Sequence, residues 1–344
     1  METQSNSELA IVPIEGRIVD ESTLGMDLPE DEDIHSPDHP NFIESNTQAI
    51  SLEELRTKNI IPTFCDNTLT ISHQSFIGAV LSIAVKIFGE LTLPELRVSH
   101  PIIGRIPSAQ NKKPNELTED EKTIFYQRMA FCSQIISQTN QINGQAVHLT
   151  IGGVRAYSDD KLYAKQAPQK FKIFVGWRVR VCSNLMLTCD GVSGTIECMT
   201  EADIMAKSYQ LFSTFNPQKE NTLRLLENLK STRLSEAQFC NIIGRLRLQQ
   251  ALPTAERNQL PTFDLGDQAV NNMVRGYVSN PNFGRGNGGE FTTWNLLQLA
   301  NEAVKQTSYI DRFIDRNQNA TDFAIGIQNA LNHNDDKGYD WFLH

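Results

Sequence analysis

The sequence predicts an α+β fold in which an antiparallel meander sheet in the first half packs with a helical second half. Three observations predict it. From Lys170 to Cys182 the residues alternate: Phe171, Ile173, Val175, Trp177, Val179 and Val181 fall on one side, and Lys170, Lys172, Phe174, Gly176, Arg178, Arg180 and Cys182 on the other. A period of two is the mark of a β-strand. Asn143-Gly144 and Asp190-Gly191 supply tight turns between strand-like runs, and Asn-Gly suits the hairpin turn that needs positive φ at both central residues. From Glu201 onward the period changes to helical, with Ile204, Met205, Leu211, Phe212 and Phe215, then Leu223, Leu226 and Leu229. Strands followed by helices read as α+β.

The elements follow in chain order. Residues 51–55, SLEEL, start a short helix, and 60–64 read as a short strand. Ser72 caps a helix that runs to Phe88 and stops at Gly89. Residues 94–100 form a strand closed by Pro101, and 107–117 a polar loop. Thr118 and Glu121 have the spacing of a capping box, which predicts a helix to about Ala130. Strands at 131–142 and 145–157 flank the Asn-Gly turn, with Gly152-Gly153 marking a bulge or a close backbone contact. A polar loop at 158–169 precedes the alternating strand, and 185–189 and 195–200 complete the meander. Gly176 is a possible bulge point, but the alternation continues through Val179 and Val181, which predicts no slip. Further helices are expected from Ser235 to about Leu252, at 268–278, at 293–305 and at 309–331, the last kinked near 317–320.

The formal charge of −10 is unevenly placed: residues 1–48 hold twelve carboxylates and one cation, Arg17, so the rest of the chain is close to neutral. Residues 1–48 lack apolar periodicity and are expected to form a disordered acidic tail. Residues 49–200 are expected to be a mainly β subdomain and 201–344 a helical one. No apolar run approaches the roughly 18 residues of a spanning helix. The amino terminus has no basic region followed by an apolar core. The six cysteines include no C-x-x-C pair, and free thiols in a cytoplasmic protein with no membrane association are expected.

Candidate sites are few. Between Gly153 and Cys182 seven cations face two carboxylates, with Tyr157, Tyr163, Phe171, Phe174 and Trp177 interleaved. Phosphate neutralisation combined with base stacking is the physics of single-strand binding, so Arg155, Lys170, Lys172, Phe174, Arg178 and Arg180 are the candidate nucleic-acid contacts. A solvated strand face is the competing reading. Gly284-Arg285-Gly286-Asn287-Gly288-Gly289 contains G-x-G-x-x-G before a helix. A dinucleotide site needs an upstream strand, which is absent, so Arg285, Gly286, Gly288 and Gly289 are a weak anion-site candidate. Cys182, Cys189 and Cys198 lie on one meander, with His148 on a nearby hairpin, without the close spacing of zinc ligands. Cys182 with His148 or His100 is a remote candidate for a nucleophile and base. Asp159-Asp160 and Asp335-Asp336 read as solvated pairs. No motif asks for a cofactor or metal.

The runs ELRVSHPIIGRIP (95–107), ELTEDEKTIFYQRMAF (116–131), LTIGGVRAY (149–157) and FKIFVGWRVRVCSNLMLTCDG (171–191) resemble the domain-of-unknown-function 3871 family of Bacteroidetes-type mobile elements, over about residues 50–340. Val181-Cys182-Ser183-Asn184-Leu185 and Thr293-Trp294-Asn295 are also similar to phage- and plasmid-borne proteins of unknown function. The resemblance implies a bacterial cytoplasm and a mobile-element setting, and it transfers no catalytic residue. The leading expectation is a non-enzymatic DNA-associated protein, a single-strand binding or annealing factor. An enzyme acting on a nucleotide or small anionic ligand is the alternative. An assembly protein working through its helical half is a third reading, and a homo-oligomer stays open.

Overall fold

The structure, a computed structural model, describes residues 40–61, 70–109, 111–161, 164, 166–286 and 288–344. Its strands are β1 (Gln48–Ala49), β2 (Glu95–Val98), β3 (Pro101–Arg105), β4 (Lys122–Tyr126), β5 (Arg128–Ile142), β6 (Gln145–Ala156), β7 (Gln169–Val179), β8 (Leu185–Met186) and β9 (Ile196–Cys198). Its helices are α1 (Leu52–Lys58), α2 (His73–Phe88), α3 (Glu201–Phe215), α4 (Lys219–Asn228), α5 (Glu236–Ala251), α6 (Thr254–Arg257), α7 (Asp267–Ser279), α8 (Thr293–Thr307) and α9 (Phe313–Leu331). Among the described residues no helix is long and apolar enough to cross a membrane.

The main sheet runs β1-β2-β5-β6-β7-β8, with β9 also on β7, and the two strands β3 and β4 form a separate sheet. The hairpin β5–β6 turns at Asn143 and Gly144, both with positive φ, as the Asn-Gly pair requires. Register between β6 and β7 is continuous from Val147↔Val179 to Val154↔Lys172, so Gly176 introduces no slip. The break in regular pairing lies instead in β5, between Gln134 and Thr139. Gly152 and Gly153 are sites of close approach: a Cβ on Gly152 would stand 2.1 Å from the Phe131 carbonyl oxygen, and one on Gly153 would stand 2.5 Å from the Phe76 ring.

Both faces of β7 are covered. Its odd-numbered residues face α2, where Phe76 meets Phe171 and Phe131 with ring centroids 4.9 and 5.6 Å apart. Trp177 on this face is completely buried, as the alternation predicts. The even-numbered face is covered by the C-terminal helices: Lys172 reaches Asp315 at the start of α9. Phe42 joins this layer by packing on Phe313, 5.8 Å away. One hydrophobic cluster runs through residues of both halves, from Phe42 to Leu343.

Four local expectations need correction. Thr118 and Glu121 close only one 3-10 turn, with the Thr118 N–H donating to the Glu121 carboxylate at 3.1 Å. The next residues then pair with β3 as β4, with Ile103↔Ile124 and Ile102↔Phe125 in register, and this extended pairing buries Thr123, Phe125 and Tyr126. The segment 1–48, expected as a disordered tail, contains two core residues, Phe42 and Ile43, while residues 1–39 lie outside the described residues. β7 ends at Val179, so Val181 leaves the alternation and is exposed. Helix α9 runs unbroken through residues 317–320. The remaining helices stand close to where their caps and periodicity put them. Ser51, Ser72 and Ser235 each accept a backbone N–H three residues on.

Candidate functional site

The cationic row of β7 is largely internal. Arg178 is 3% exposed. Its guanidinium pairs with Glu95, donating to Oε2 at 3.2 Å, and also donates to Ser183 Oγ at 2.8 Å. Burial pulls this guanidinium's pKa down, but Glu95 outweighs it and the net shift is upward. Phe174 has no exposed surface, and its ring lies over Gly152. Lys172 is half-buried, donating to Asp315 at 2.6 Å and to the Asp311 carbonyl at 3.0 Å. Lys170 is half-buried in a small groove beside Asp159, Lys172 and Asp311. Arg180 lies past the strand end, half-buried, with its backbone N–H on the Ala146 carbonyl. The six residues therefore form no continuous solvated track. The reason is that α9 brings Asp315 to Lys172, and β2 brings Glu95 to Arg178, on the face that alternation alone assigns to water.

Arg155 projects from the opposite face, toward α2, and is 1% exposed. Its guanidinium lies 4.4 Å from the ring centroids of both Tyr157 and Phe171. It donates to Gln169 Oε1 at 2.6 Å, to Asp160 Oδ2 at 3.2 Å and to the Ile71 carbonyl. Burial pushes the Asp160 carboxyl up, against the Lys170 N–H and Arg155 that hold it down. His73, which sequence reasoning passed over, completes this cluster. Its Nε2–H donates to the Tyr126 carbonyl at 2.6 Å, and its ring lies 4.5 Å from Tyr157. Burial, with Arg155 beside it, pushes its pKa down to about 3, so it is neutral. A buried charge must be paired to persist. The cluster ties α2, β6 and β7 together.

The glycine loop does not assemble an anion site. Gly284 packs on the carbonyls of Gly276, Tyr277 and Asn280, while Gly286, Gly288 and Gly289 are exposed. Arg285 lies 3.5 Å from Glu236 and 6.0 Å from the Tyr277 ring. The first N–H groups of α8 are already used: Thr292 donates to Asn295 Oδ1 and Thr293 to the Thr232 carbonyl, each at 3.1 Å. A helix start capped by its own chain has little left for phosphate.

Four of the described cysteines are held away from the thiolate form. Burial pushes Cys182 and Cys198 up to about 11 and raises Cys132 and Cys189 as well. A nucleophilic thiol needs the opposite shift. His148 makes its contact with Thr139, with Nδ1 at 3.1 Å from the hydroxyl. Among the described residues no three His, Cys, Asp or Glu side chains come together to hold a metal.

The surface that stands out is apolar. On the small β3–β4 sheet Ile103 and Ile124 are direct cross-strand partners, 69% and 43% exposed. At the edge of this sheet Asn59 bridges Ile124 in parallel, and the N–H of the next residue, Ile60, 51% exposed, donates to the Ile124 carbonyl at 3.0 Å. Ion pairs rim this patch: Lys112–Glu121, Lys122–Glu119 and Lys58–Glu54. β-branched residues at a cross-strand pair stabilise a two-stranded sheet, but a pair this exposed leaves its apolar face to water. The signal was present in the alternation of Thr123, Ile124 and Phe125, and the capping box drew it into a helix instead.

No curated protein and no solved structure matches the chain. A family model described as "Domain of unknown function, B. Theta Gene description (DUF3871)" matches residues 32–343. That match takes in every strand and every helix among the described residues, and the chain belongs to the DUF3871 family.

Proposed function

We propose that the protein works by association rather than by chemistry, and that the contact is the isoleucine face of the β3–β4 sheet packed against the same face of a second copy. The observation that carries this reading is the exposed Ile103–Ile124 pair on one face of the sheet, with ion pairs on the neighbouring residues. An apolar centre with a polar rim is the anatomy of a protein interface. The rim pairs each lysine with a glutamate, so two copies meet without net repulsion. It also offers no excess charge to hold a polyanion. Burying one isoleucine side chain is worth about 1.5–3 kcal/mol.

The single-strand reading loses support, because Arg155, Arg178 and Phe174 are engaged inside the fold. An annealing role in a mobile-element setting would have to use other cations. The test of the assembly reading is sedimentation of the parent and of Ile103→Lys across a range of protein concentrations. The parent is expected to dimerise, and the variant to be a monomer with an unchanged melting temperature. A parent that stays monomeric at its solubility limit, or a variant that dimerises as the parent does, overturns the reading.

A further inference from the structure

Away from that sheet, the chain closes a polar cleft of about 270 Å³ between α9, the residues that follow it, and the turn at Cys189. One wall is the helix itself, with Asp322, Ile325 and Asn329. Gly326 lets the Tyr339 ring lie flat on the helix: a Cβ there would stand 2.4 Å from the ring. Asp335 and Asp336 close the far side with Lys337.

The groups in this cleft are not equally free. Asp335 is committed to the backbone, accepting N–H groups from Lys337 and Gly338 at 3.0 Å and from Asp340 at 2.6 Å. It builds the turn and is not available to a ligand. Asp322 has a single long contact, from the Gln318 amide at 3.5 Å. Burial raises its pKa, and Lys337 counters the shift. Tyr339 is 8% exposed, and among the described residues its hydroxyl has no hydrogen-bond partner. Tyr339 lines the cleft together with Asp322 and Asp335. A buried phenol normally finds a partner. Here the partner's place is the cleft. The Cys189 thiol, raised by burial and by Asp190, is a wall and not a nucleophile.

We propose that this cleft binds a small organic cation of about monosaccharide size, its ammonium on the Asp322 carboxylate and its hydroxyl groups on Tyr339 and Asn329. Three carboxylates against one ammonium favour a cation over an anion. The Tyr339 ring and Ile325 supply the apolar floor that such sites carry, and the volume sits at the small end of ligand pockets. Nothing in the β3–β4 sheet takes part, so this site stands independently of self-association.

The experiment is ligand-observed NMR titration of the full chain with glucosamine, and with glucose and glucuronate as neutral and anionic probes of the same size. Glucosamine is expected to bind saturably and at least tenfold more tightly than either. Asp322→Asn is expected to weaken glucosamine at least tenfold without moving the affinity of glucose. Asn329→Trp, which fills the cleft from an exposed helix position, is expected to abolish binding while the melting temperature holds. Equal binding of all three probes, no binding of glucosamine, or full binding by Asp322→Asn or Asn329→Trp overturns the proposal.

Discussion

Arg178 on β7 closes an ion pair with Glu95 on β2, two strands that are not neighbours in the sheet. The sheet curls enough for a guanidinium from one strand to reach a carboxylate across β5 and β6. Cys132 on the intervening β5 touches the same guanidinium, at 3.5 Å. The pair is enclosed by Ser183 and by the Phe42 ring, whose centroid is 5.9 Å from the guanidinium carbon.

Removing one partner of such a pair leaves the other buried and uncompensated. Arg178→Gln should therefore destabilise the fold by about 3–5 kcal/mol. Lys161→Gln, at an exposed position, should change stability by less than about 0.5 kcal/mol. Urea unfolding of both variants measures the difference. Equal stabilities would mean that Arg178 faces solvent.

Phe42 is buried and packs on Phe313. Phe42→Ala should cost about 3–5 kcal/mol, as a large-to-small change in a packed core. Deleting residues 1–48 should be at least as damaging, since it removes Ile43 too. A melting temperature unchanged by that deletion would return these residues to the tail.

His73 gives a pH signature. Its pKa falls from an ordinary 6.5 to about 3 in the fold, through burial and then the neighbouring Arg155. Above pH 6.5 the ring is neutral in both states and adds no slope. As the pH falls from 6.5 towards 3, only the unfolded chain takes up the proton, and stability is lost at about 1.4 kcal/mol per pH unit. His73→Gln keeps a donor for the Tyr126 carbonyl and cannot titrate. Between pH 6 and 4 the parent should lose stability faster than this variant, and parallel profiles would remove His73 from the account. Asp160, raised by burial, is present in both chains and cancels in the comparison.

Two glycines should respond in opposite ways. At Gly152 a methyl group meets the Phe131 carbonyl oxygen and the Phe174 ring, and the backbone oxygen cannot move aside cheaply. Gly152→Ala should cost at least about 1–3 kcal/mol. At Gly286 nothing lies within 4 Å, and Gly286→Ala should be nearly neutral. Thermal melts of the two variants decide it, and a neutral Gly152→Ala would mean that β5 and β7 stand further from β6 than described.

The sequence by itself determined the local units. Alternation in β7, the Asn143-Gly144 turn, the Ser72 cap with its Gly89 stop, and the helical period after Glu201 all depend on residues close together in the chain. They were legible for that reason, and so was the burial of Trp177. Alternation says that a strand has two faces. It does not say what covers them. The tertiary fold decided that Lys172 meets Asp315 from α9, that Arg178 meets Glu95 from β2, and that Arg155 lies between Tyr157 and Phe171. Those partners are far away in sequence, and a cation's preference for water or a carboxylate depends on which of them is at hand. The same holds for the two surfaces that remain. Ile103 and Ile124 became one patch only through strand register, and Asp322, Tyr339 and Cys189 became one cleft only when three separate segments met.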